Sequence, residues 1–60
     1  MVIDTTNWQL VRCRGEKVVV MAPSSIMTKE QALVHAAWLV VMAMANMDEF
    51  GRYLEAVQNT

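Results

Sequence analysis

One side chain in this chain can act as a general acid or base near neutral pH, His35, and one is a thiol, Cys13. No serine, carboxylate or second histidine stands at a spacing that would complete a catalytic set with either. His35 shares a helical side with Gln31, Trp38 and Met42, which gives two readings: a small polar-aromatic pocket or pH-sensitive contact, or a histidine at a helix edge bonded to water or a neighbour. Cys13 lies between Arg12 and Arg14, cations that could depress a thiol pKa. Successive strand residues point to opposite faces, however, so those cations aim away from it and Cys13 reads as a buried small hydrophobe. Cys13 and His35 are too few ligands for a structural zinc site, and no cofactor or metal is expected. An enzymatic or small-molecule site would need a pocket at a subunit interface near His35 and Trp38, and it ranks last for want of a second ionisable group.

The same alternation gathers Arg12, Arg14, Lys17 and Trp8 on one face, a pattern shared with nucleic-acid footprints of cations and an aromatic. Against it stand the net charge of −1, Glu16 in the turn, and a last segment carrying Asp48, Glu49 and Glu55 against Arg52 alone. A nucleic-acid-binding dimer using the basic turn is therefore the alternative reading. The basic turn and the acidic end could meet across a dimer, or each could be a solvated patch. Trp8 and Trp38 are the side chains best suited to anchor a protein partner, since tryptophan is enriched among binding hot spots; both are also ordinary core formers. The six methionines, with Met42, Met44 and Met47 close together, suit either an adaptable contact surface or gap-filling in a dimer core.

These residues are positioned by a long helix. From Ile26 to Asn46 the chain runs IMTKEQALVHAAWLVVMAMAN, and the spacing predicts a helix over 28–45. Thr28 and Gln31 form a capping box, with Met27 and Ala32 placed for a hydrophobic staple. Glu30 favours the first turn, and Asn46 suits a left-handed residue after the last turn. Between Ala32 and Ala45 the one polar side chain is His35. Leu33, Ala36, Ala37, Val40, Ala43 and Met44 form one stripe, and Val34, Trp38, Val41 and Ala45 form a second. A helix apolar nearly all round must be covered on more than one side, and this run is shorter than the ~20 apolar residues a bilayer requires. It reads as a buried core helix.

Upstream, residues 1–6 fit a strand extension or a turn equally well. WQLVRC, RGEK and VVVMA then predict a β-hairpin over 8–22, with Gly15 at the first central position of a type II′ turn. In that register Arg14 faces Lys17 and Cys13 faces Val18. Val11, Cys13, Val18 and Val20 form a uniformly apolar face directed at the long helix. Trp8, Leu10, Val19 and Met21, with Arg12, Arg14 and Lys17, form a half-apolar outer face that is either a subunit interface or a partner surface. Pro23 ends the second strand. Downstream, Asp48 is placed to cap a docking helix over 48–58 whose stripe is Phe50, Tyr53, Leu54 and Val57. Gly51 weakens that helix, which suggests a close backbone approach or a frayed first turn.

Sixty residues allow one small domain, 1–60, whose core is marginal unless something assists it. A single cysteine rules out an internal disulfide. Hydrophobic residues make up 55% of the chain, more than a two-layer core of this size can hide, so self-association as a homodimer or small homo-oligomer is expected. Its interface falls to Val34, Trp38, Val41, Met42 and Ala45. The lone thiol, and the absence from Met1-Val2-Ile3-Asp4 of a charged n-region and long h-region, lead to the expectation of a cytoplasmic protein without export or membrane anchoring.

The Gly-turn hairpin, the Thr28-Lys29-Glu30-Gln31-Ala32 helix start, Ala36-Ala37-Trp38-Leu39-Val40, Asp48-Glu49-Phe50 and Val57-Gln58-Asn59-Thr60 together resemble short uncharacterised accessory proteins of tailed bacteriophages. The likeness covers most of the chain but rests on packing motifs, so it carries over no functional residue. It implies a class of role: a small protein made in the host cytoplasm that binds and blocks a host or defence protein. The expected fold is α+β, a β-hairpin packed on a long central helix followed by a short C-terminal helix. The expected function is a non-enzymatic protein-binding module, with Trp8, Leu10, Arg12, Arg14, Lys17 and Val19 as its partner surface.

Overall fold

The computed structural model describes residues 2–60 and has the order β1 (Val11–Arg14), β2 (Lys17–Val20), α1 (Lys29–Met42) and α2 (Met47–Gln58). The architecture is α+β, one antiparallel hairpin and two helices. Gly15 at φ 63° opens the turn and Glu16 does not share its positive φ, the signature of a type II′ turn. The ladder follows: Arg14 pairs with Lys17, Cys13 with Val18, Arg12 with Val19 and Val11 with Val20.

Regular pairing stops at Val11, three residues later than the expected strand start at Trp8. Leu10 takes φ 51°, and its amide donates to the Asn7 carbonyl at 3.1 Å, so residues 7–10 form a β-turn. The cause is Asn7. In this register the N–H and C=O of Val11 point away from β2, and the Asn7 side chain meets both: its Oδ1 accepts from the Val11 amide at 2.9 Å and its Nδ2 donates to the Val11 carbonyl at 3.0 Å. One side-chain amide thus replaces a third strand for one residue. Val11 has no exposed surface, so those groups would otherwise be buried and unpaired. Beyond β2 the arms stay joined less regularly, with Met21 donating to the Leu10 carbonyl and Ala22 to that of Gln9.

Helix α1 starts as its sequence dictates. The Gln31 amide donates to Thr28 Oγ1 at 3.1 Å, and the Thr28 amide donates to Gln31 Oε1 at 2.9 Å, completing the capping box. It ends earlier than residue 45. Met44, at φ 58°, is the left-handed residue; its amide reaches the Val41 carbonyl, and that of Ala45 reaches the Val40 carbonyl, a Schellman closure. Asn46 therefore caps α2 instead of closing α1: its Oδ1 accepts from the Glu49 amide at 2.8 Å. Asp48, expected to be that cap, lies in the first turn with Glu49, where the helix dipole favours both.

The expectation of a buried core helix does not hold. No residue of α1 is fully buried, and Leu33, Ala37 and Val41 stand in the open. A two-stranded sheet and the loop before it cover only part of a helix that is apolar nearly all round. Nor does α2 dock along its stripe: Phe50 is half-buried, while Tyr53, Leu54 and Val57 are exposed. The one fully buried apolar side chain among the described residues is Val11.

The chain's dimensions agree with that thin core. A monomer of 6.8 kDa ordinarily exposes about 3,950 Å², and this chain exposes 5440 Å². Its radius of gyration is 12.3 Å, against about 10.4 Å for a compact domain of this length.

Candidate functional site

Three surfaces carry the residues singled out by sequence. The first is the outer hairpin face. Arg12, Arg14 and Lys17 are exposed there, Val19 is half-buried, and Leu10 is exposed at the strand entry. Trp8 does not continue the strand; the Asn7–Leu10 turn carries it toward the N-terminal arm and α1, where it lines cavities with Asp4, Gln31 and Val34 while staying 60% exposed. The cations and the indole are thus displayed from two elements, a β-ladder and a turn.

The second surface is a polar cleft of about 220 Å³ between the residue 6–9 turn, the linker at Ala22, Ser24 and Ile26, and α1 at Gln31, Val34, His35 and Trp38. It brings His35 and Trp38 together, as a small-molecule site would require, but His35 is the one ionisable side chain in its walls. His35 Nδ1 is itself sealed from solvent and has no hydrogen-bond partner. Two residues that sequence reasoning passed over shape this cleft. Gln9 is buried and its Oε1 accepts from the Ser24 amide at 2.6 Å, tying the linker to the turn. Asn7 holds the turn through Val11. The signal for both was chemical, since a buried primary amide can satisfy two backbone groups that no neighbouring strand reaches.

The third surface is an apolar groove along α1. Leu33, Ala37 and Val41 recur at i, i+4 and i+8, joined by Val34 and Trp38 and walled by Ile3 and Thr5 from the N-terminal arm. The Trp38 indole donates to the Thr5 carbonyl at 2.9 Å, so this anchor holds the arm against its own chain. The arm is folded by Asp4, whose carboxylate accepts from the Thr6 hydroxyl and, at 3.0 Å, from the Thr6 amide. These bonds, the hydroxyl first, hold the Asp4 pKa below its ordinary value.

The five residues expected at a subunit interface do not form one patch. Val34, Trp38 and Val41 line the groove. Met42 faces the hairpin, and Ala45 lies beside Phe50, Leu39 and Val40 on another flank. Cys13 also departs from expectation. It is exposed, and its thiol donates to the Met42 carbonyl at 2.7 Å, satisfying a carbonyl that the end of α1 leaves free. β1 is latched to α1 through sulfur.

The chain matches no protein-family model, no characterised protein and no solved structure. Function has to be argued from these surfaces alone. Among the described residues no three of His, Cys, Asp and Glu gather closely enough to hold a metal ion, and no helix is long and apolar enough to cross a membrane.

Proposed function

We propose that this chain is a non-enzymatic protein-binding module that works as a homodimer or small homo-oligomer. Its outer hairpin face, Trp8, Leu10, Arg12, Arg14, Lys17 and Val19, meets a foreign protein. The role is that of a phage-type inhibitor or adaptor acting on a host or defence protein in the cytoplasm, the class implied by the resemblance of its packing motifs. The observation that carries the reading is the mismatch between one fully buried apolar side chain and apolar residues left uncovered on the hairpin, on α1 and on α2. Large uncovered apolar surface on a small chain is the ordinary mark of a protein–protein contact. Tryptophan and arginine, both among the proposed contact residues, are enriched among interface hot spots.

The test has two readouts. Light scattering on a size-exclusion column should give a mass above 6.8 kDa that holds over a wide concentration range. Trp8→Ala and Arg14→Glu should keep that mass yet lose a protein that the wild-type chain captures from bacterial extract. A monomer at every concentration removes the self-association half of the reading. Unchanged capture by both variants removes the outer face.

The exposure of Arg12, Arg14, Lys17 and Trp8 also favours one second reading, a nucleic-acid-binding dimer. Each neutralised phosphate should then contribute a slope of about −0.9 to the log–log dependence of affinity on salt. Binding to a labelled oligonucleotide that does not weaken as salt rises excludes it.

A further inference from the structure

We infer that the occupant of the α1 groove is helix α2 of a second copy of this chain, and that the exchange is reciprocal. The inference rests on the self-association proposed above and names its contact. Two unpartnered features of one molecule fit each other. The groove presents Leu33, Ala37 and Val41, of which Leu33 is 60% and Val41 64% exposed. Helix α2 presents Tyr53, Leu54 and Val57 with Phe50 at its inner end, Tyr53 being 68% and Val57 71% exposed. Leu33 to Val41 spans about 12 Å of helix and the exposed part of the α2 stripe, Tyr53 to Val57, about 6 Å, so the stripe covers about half the length of the groove. A strongly amphipathic helix beside an empty apolar groove is the geometry of helix-in-groove recognition.

The connection between the helices explains why α2 does not fill the groove of its own chain. Only Ala43 to Asn46 separate α1 from α2. The first half of that segment is fixed by the Schellman bonds to Val40 and Val41, and the second by the Asn46 cap on Glu49. This directs α2 along another flank of α1, where Phe50 and Tyr53 lie beside Leu39, Val40, Ala43 and Ala45. At about 100° per residue, Leu39 and Ala43 of that flank lie more than a quarter turn from the centre of the Leu33–Ala37–Val41 row, with Val40 at the border between them. Leu54 and Val57 are left facing outward, with Tyr53 at the edge of that flank still 68% exposed, where a second copy can receive them.

The area argues for a second copy of this chain over a small peptide. Surface above that of an ordinary monomer is about 1,500 Å² per chain, taken from the observed 5440 Å². Two chains covering that surplus on each other would bury about 3,000 Å², within the roughly 2,000–5,000 Å² of obligate homodimers. Two-fold symmetry makes each groove-to-helix contact occur twice, so one modest contact reaches that range. The hairpin cations Arg12, Arg14 and Lys17 line neither the groove nor the α2 flank and stay free for a foreign protein, while Trp8 shares a cavity with Leu33 and Val34 at the groove's end.

The experiment is subunit complementation followed by light scattering on the full-length chain. Val41→Asp disables the groove and Val57→Asp disables the helix, each at an exposed position that leaves the chain's own bonds intact. Each variant alone should fall to a monomer. An equimolar mixture should regain dimer, because the groove of the Val57→Asp chain can still accept the helix of the Val41→Asp chain. A mixture that stays monomeric while the wild type is a dimer overturns the exchange and leaves self-association standing, with α2 pairing on α2 or another face responsible. A wild-type chain that is monomeric throughout overturns the self-association reading itself. A disulfide trap covers the case in which the aspartate variants fail to fold. In a Cys13→Ser background, chains carrying Ala37→Cys and chains carrying Leu54→Cys, differently tagged, should cross-link when mixed under oxidising conditions and much less when each is alone. Equal cross-linking in all three samples overturns the exchange.

Discussion

At the scale of single residues, the polar bonds of this chain are mostly local clamps that fix segments too short to hold themselves. Cys13 is a long-range exception: its thiol joins residues 29 positions apart and ends on a helix-terminal carbonyl. Cys13→Ala should lower stability by about 0.5–1 kcal/mol, the net worth of one exposed neutral hydrogen bond, while Cys13→Ser should recover most of it. The midpoint of urea unfolding for the three proteins decides the matter; equal midpoints would mean that the latch contributes nothing. Asp4 is a second clamp with a pH signature. Its carboxyl titrates lower with the arm folded than unfolded, so ionised Asp4 favours the folded arm above the ordinary carboxylate range. That preference fades as pH falls through the lowered value. Thr6→Val removes the hydroxyl, the largest contributor, and should move the Asp4 carboxyl titration, followed by NMR, back up toward the unperturbed value. No movement would assign the lowering to the Thr6 amide and the Trp8 indole.

At the scale of elements, the hairpin was legible because a two-residue turn leaves no freedom. Once Gly15 takes positive φ, every pair from Arg14–Lys17 to Val11–Val20 follows. The N-terminus of α1 was legible for the same reason, since Thr28 and Gln31 satisfy each other's backbone. The junction between the helices was not, because asparagine suits both a left-handed helix end and an N-cap, and sequence alone gives no means of choosing. The structure uses Asn46 for the cap and leaves the left-handed position to Met44, an exposed residue with a Cβ where glycine is normally found. Met44→Gly should therefore raise stability by about 0.5–1 kcal/mol, measured by thermal or urea unfolding. A loss would show that the Met44 side chain is engaged when the chain is assembled. The start of β1 differs for another reason: the apolar alternation of Trp8 and Leu10 runs on upstream of Val11, and only the side chain of Asn7, invisible to periodicity, stops the strand. Candidate surfaces fared likewise. Period and register place the cations on one face, but the groove on α1 exists because α2 leaves along the other flank, a fact of the junction and not of either helix.

At the scale of the whole molecule, a 60-residue chain stays folded only if it buries enough apolar surface. Ordering costs about 1.5 kcal/mol per residue, and burial in so small a domain barely offsets it even when the core is complete. Here the core of the single chain is Val11 and a ring of half-buried neighbours. On the proposed self-association the missing burial comes from contact between chains, which would make folding and association one equilibrium and tie stability to concentration. Each tenfold rise in chain concentration then adds about 1.4 kcal/mol per dimer. With an unfolding entropy of about 2.1 cal/mol/K per residue over two chains, the thermal midpoint should climb by about 5 °C per tenfold. Circular dichroism melts over a hundredfold range of concentration would show a rise of roughly 10 °C on the same constants. A midpoint independent of concentration would mean that one chain folds on its own despite its exposed groove and helix. In the Val41→Asp and Val57→Asp variants the concentration dependence should vanish and the midpoint should fall below that of the wild type at every concentration. The separation between the wild-type and variant melting curves therefore measures how much of this fold is supplied by the second copy.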